Sequence, residues 1–127
     1  MKPLKLTILT ETFAVCRFNR DESIPEFGNE HEFLSLTKTG DEISLVIKEK
    51  DVLSAWKAEK GWTCIKVLGP LDFSLVGILA SITSPLGAAG ISLFAISTFD
   101  TDYILIKKDH LNEAKSVLSH QGFLFIP

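Results

Sequence analysis

The sequence predicts an α+β fold, with antiparallel strands joined by short turns and helices laid on one face of the sheet. Three observations carry that expectation. The tract Ile91–Lys107 holds two apolar strands, Ile91–Ser97 and Tyr103–Lys107, around the polar turn Thr98–Asp102. Leu75, Ile78, Leu79, Ile82 and Leu86 recur at helical spacing, so one stripe of that segment is apolar. From Trp62 onward the patterns run strand, helix, strand, strand, helix, strand. That is the order of the ferredoxin-like split βαββαβ unit.

Each element has a local cause. Leu4–Leu9 and Phe13–Phe18 are strand-like apolar runs separated by Thr10-Glu11-Thr12. Asn19–Glu32 is polar, contains Pro25, Gly28 and Asn29, and reads as a loop with room for one helical turn. Phe33–Thr37 and Ile43–Lys48 form an expected hairpin around Thr39-Gly40-Asp41. Asp51–Ala58 is predicted as a short helix with Val52, Leu53 and Trp56 on one face and Gly61 as its stop. Trp62–Leu68 is the next strand, and Gly69-Pro70-Leu71-Asp72 breaks it before the apolar-striped helix. Pro85 should kink or shorten that helix, and Gly87 and Gly90 close it. Asp109 is the expected N-cap of a last helix carrying Leu111, Ala114, Val117 and Leu118. Gly122 ends it, and Phe123–Ile126 is the final strand.

The first half repeats this order with a weak or missing first helix. The expectation is therefore two copies, a degenerate unit over residues 1–60 and a clear one over 61–127. A two-layer unit leaves one sheet face bare. The apolar residues of Ile91–Ser97 point to both faces, so that strand is expected to be covered by another unit or subunit.

Composition narrows the function. An apolar fraction of 46% with 23% charged residues is that of a globular protein. A net charge of −3 argues against nucleic acid, whose phosphates need a basic face. No apolar run reaches the roughly 20 residues of a membrane span. The start through Glu11 has no long apolar core, so no signal peptide is expected and the cytoplasm is the default location. Cys16 and Cys64 are too few and too far apart for a metal knuckle or a disulfide framework, and are expected to be buried thiols. His31, His110 and His120 lack metal-like spacing. No nucleophile–base or paired-carboxylate arrangement is visible, so no catalytic residue is assigned and an enzyme is not expected. Neither a cofactor nor a metal is expected.

Two segments could bind a ligand on their residue types alone. Gly69–Gly77 leads a strand through a broken loop into a helix, whose first N–H groups attract a carboxylate. Asp72 could answer an ammonium there, but on spacing alone the preferred reading is that Asp72 or Ser74 simply caps the helix. Ser97-Thr98-Phe99-Asp100-Thr101-Asp102 offers two carboxylates and three hydroxyls to a cationic ligand. Such residues also suit a plain solvated turn, and that reading is preferred for Asp100. Hard cations want more oxygens than this tract supplies.

Specific residues also resemble a known family. Ser74-Leu75-Val76-Gly77-Ile78-Leu79-Ala80-Ser81-Ile82 resembles the Asp/Asn-x-Pro-Gly-x-Leu-Ala stretch of ACT domains, and Leu86-Gly87-Ala88-Ala89-Gly90-Ile91-Ser92-Leu93 resembles their exit into the second strand. Phe33–Gly40 and Ile96–Ile106 resemble the two hairpins of the tandem-ACT subgroup that includes the cytosolic arginine sensors. Val76 stands where the family has Pro, and Ser74 where it has Asp or Asn. The resemblance implies a non-catalytic regulatory module that binds an amino acid or related metabolite. It also implies a homodimer and a regulated protein partner. The ligand positions implied are Gly69, Pro70, Leu71, Asp72, Phe73, Ser74 and Gly77, with Ala95, Ile96, Ser97 and Asp102 on the facing strand and turn. The alternative is a structural or oligomerisation module that kept the fold and lost the ligand.

Overall fold

The computed structural model describes residues 3–69, 71 and 76–127. Along the chain the elements are β1 (Lys5–Ile8), β2 (Phe13–Asn19), β3 (Ser35–Lys38), β4 (Glu42–Lys48), β5 (Lys57–Val67), α1 (Ile78–Ala88), β6 (Leu93–Ser97), β7 (Asp102–Lys107), α2 (Leu111–His120) and β8 (Leu124–Phe125). They form two units. Glu11–Trp62 makes the first, and the N-terminal segment through Thr10 joins Thr63–Pro127 in the second. The 60/61 boundary expected from sequence falls inside β5, whose two halves serve different units.

In the first unit β4 pairs with β3 and β2, and β2 with the start of β5, all antiparallel. The β3–β4 hairpin turns at Thr39, whose hydroxyl accepts the amide N–H of Asp41 at 3.1 Å. Ala14, Cys16 and Phe18 alternate along β2 and point to one face beside Ile43, Leu45 and Ile47 of β4, forming one buried cluster. Ile24, Phe27, Leu34, Val52 and Trp56 cover it. Coil thus occupies the place over the sheet where a helix would lie, because Asn19–Glu32 carries no apolar stripe to make one.

Two expectations fail here. Asp51–Ala58 is not a helix: Glu49–Asp51 makes one 3-10 turn and β5 already begins at Lys57. Val52 and Trp56 are both partly buried against this cluster, but Val52 reaches it as extended chain and Trp56 through the turn closed by its N–H on the Leu53 carbonyl. Nor does Gly61 end a helix. It sits within β5 at φ +86°, where Phe13 pairs with Trp62 and Val15 with Glu59. One more residue lies on β5 than on β2 across that step, which is a β-bulge, and glycine takes the left-handed backbone it needs.

In the second unit the strands run β8-β1-β5-β7-β6. β1 lies between β5 and β8, antiparallel to the first (Leu6 opposite Val67) and parallel to the second (Leu6 opposite Phe125). The N-terminal strand is thereby inserted into the βαββαβ unit. Both helices lie on one face. Ile82 and Leu86 of α1 and Ala114 and Leu118 of α2 join Leu6, Ile65, Val67, Ile104 and Ile106 in a single core. Each fully buried aliphatic side chain contributes roughly 1.5–3 kcal/mol. On the opposite face Cys64 and Leu105 are fully buried as well.

Three further expectations are corrected. Burial on both faces holds for β7, where Ile104, Leu105 and Ile106 are all inaccessible, but not for β6. Leu93, Phe94 and Ile96 are half-buried and Ala95 and Ser97 exposed, because among the described residues β6 pairs with β7 alone and forms the sheet edge. Pro85 does not shorten α1, which runs through it to Ala88. Asp109 does not cap α2: it lies inside the 3-10 turn Lys108–His110, and the helix starts from His110 without a side-chain cap.

Candidate functional site

A cleft of about 300 Å³ lies within the second unit. One wall is Leu71 and the start of α1, at Gly77, Ile78 and Leu79; the other is the β6–β7 turn from Ser97 to Asp102. Backbone chemistry builds the first wall. Gly77 occupies the N-cap position at φ +81°, and its carbonyl accepts the first helical hydrogen bond from the Ser81 N–H at 2.9 Å. Glycine brings no side chain to the cap. The N–H groups of Ile78 and Leu79 have no intrahelical acceptor, and the helix dipole adds partial positive charge there.

The second wall is held by its own hydroxyls. Thr98 N–H donates to the Thr101 carbonyl at 2.8 Å, and Thr101 N–H donates to Thr98 Oγ1 at 3.3 Å. Thr101 Oγ1 is buried and donates to the Val67 carbonyl of β5. Ser97 Oγ donates to Asp102 Oδ1, across the last paired residues of β6 and β7. Asp100 and Asp102 are the charged residues lining the cleft.

The two walls are joined directly. Leu71 N–H donates to the Asp100 carbonyl at 2.7 Å. Gly69 makes that approach feasible: a Cβ there would lie 2.9 Å from Leu71 N and 3.0 Å from Asp100 O. The arrangement sets carboxylates on one side of a cleft against the positive end of a helix on the other. It suits a small molecule carrying both charges.

Of the positions singled out in the sequence, Leu71, Gly77, Ser97 and Asp102 line the cleft and Gly69 packs behind it. Ala95 and Ile96 lie along the edge strand and are not part of the lining. Pro70, Asp72, Phe73 and Ser74 lie outside the described residues. The lining also includes Ile78, Leu79, Thr98, Phe99, Asp100 and Thr101. The crowding of hydroxyls and carboxylates in Ser97–Asp102 was the available signal for the turn residues. It competed with the plain-turn reading, which local sequence favours for Asp100. Among the described residues no group of three or more His, Cys, Asp and Glu is placed to hold a metal ion. No helix among them is long and apolar enough to cross a membrane.

Fold and cleft together define a βαββαβ module with a ligand-sized recess at a helix start. The family model described as ACT domain matches residues 57–120, and a second model, of an N-terminal domain, matches residues 11–55. The chain belongs to the ACT domain family, a class of regulatory small-molecule-binding modules. Over 72 residues it is 36% identical to the human "Cytosolic arginine sensor for mTORC1 subunit 1", covering 56% of this chain and 22% of that protein. It therefore spans about a fifth of the length of that relative. A crystal structure of an Agobacterium tumefaciens protein superposes with a TM-score of 0.91 at 32% identity, covering 99% of this chain and 94% of the other. The regulatory subunit of aspartate kinase from Thermus thermophilus shares the fold, with a TM-score of 0.61 at 9% identity over 91% of this chain and 95% of that one.

Proposed function

We propose that this chain is a non-catalytic regulatory module that binds an amino acid in the cleft between the α1 start and the β6–β7 turn. One observation carries the reading: Gly77–Leu79 and the carboxylates of Asp100 and Asp102 line a single recess. An α-carboxylate would take the first-turn N–H groups, and an α-ammonium the carboxylates. Kinship with a protein named as an arginine sensor supports an amino acid over other zwitterions.

Regulation follows from where the cleft lies. One of its walls ends at β6, whose outer edge carries the half-buried side chains Leu93, Phe94 and Ile96. Such an edge invites pairing with a second copy, so a homodimer through β6 is part of the reading. A ligand that favours one arrangement of β6 and the turn would then bias assembly, and a protein partner in the cytoplasm would sense it.

Calorimetric titration with the twenty amino acids tests the proposal. At least one should bind saturably, and the Asp100→Asn/Asp102→Asn double variant should weaken it about tenfold or more. Absence of binding down to millimolar affinity overturns it. A stable dimer whose melting temperature no amino acid moves would instead establish a purely structural module.

A further inference from the structure

We draw no further inference here: the strongest candidate, the groove of about 430 Å³ between the C-terminal ends of α1 and α2 lined by Pro85, Ala88, Ala89, Val117 and His120, carries nothing, because nothing in the structure shows what covers it.

Discussion

Thr101 Oγ1 donates a 2.6 Å hydrogen bond to the carbonyl of Val67, thirty-four residues earlier in the chain. Thr101 is only 5% exposed although it sits in a turn rich in Asp and Thr. The bond fastens the β6–β7 turn to the end of β5 and so sets one wall of the cleft. Replacing Thr101 by Val keeps the shape and leaves the Val67 carbonyl without this partner. The expected cost is about 1–3 kcal/mol in urea unfolding, with Thr101→Ser recovering most of it. Equal stability of the Val and Ser variants would show that the bond contributes nothing.

Gly61 and Gly40 form a matched pair for a backbone prediction. A Cβ at either would meet nothing within 4 Å, but only Gly61 has a positive φ. Gly61→Ala should therefore cost about 1–2 kcal/mol through left-handed strain at the bulge. Gly40→Ala should stay within about 0.5 kcal/mol of the parent. Chemical denaturation of the two variants side by side reads the difference, and equal midpoints would remove the bulge argument.

Leu86 is fully buried between α1 and the sheet of the second unit. Leu86→Ala should lose about 2–5 kcal/mol, the transfer and cavity contributions together. Leu53, by contrast, is 57% exposed, so Leu53→Ala should change stability by less than about 0.5 kcal/mol. Thermal melts of both variants check the contrast.

Burial pushes the Cys16 thiol above its ordinary value of 9.0, with the nearby Lys60 charge opposing in part. An unfolded thiol loses its proton near that ordinary value, while the folded one still holds it. The stability tied to this proton is thus complete below about pH 9 and is lost as pH rises through the folded pKa. The stability difference between the parent and Cys16→Ala should shrink as pH rises above the ordinary thiol value of 9.0. A difference independent of pH would contradict this. Cys16 and Cys64 are both buried thiols, so a thiol reagent should label them at the rate of unfolding.

Much of the second unit was legible because its signals are local and agree with one another. Ile78, Ile82 and Leu86 repeat at helical spacing, and the apolar run Tyr103–Ile106 matches a strand buried on both faces. The first unit was harder to read. Val52, Leu53 and Trp56 satisfy a helical spacing, yet an extended residue and a turn, not a helix, pack Val52 and Trp56 against the core. Spacing reports which residues seek burial, and extended chain with a turn can meet the same demand. In the cleft, Ser97 and Asp102 were visible as polar residues at strand ends. The part played by Thr101 depends on Val67, and nothing adjacent in sequence records that pairing.

The sequence by itself determined the class of fold, the order of the second unit's elements and the family, because periodicity, glycine placement and motif residues are properties of neighbours along the chain. Only the tertiary structure decided that β1 belongs between β5 and β8, that β5 serves both units, and that the α1 start faces the β6–β7 turn across a cleft. Those are long-range pairings. They are set by which backbone edges and apolar faces remain unsatisfied once local structure has formed, and no single segment encodes that remainder.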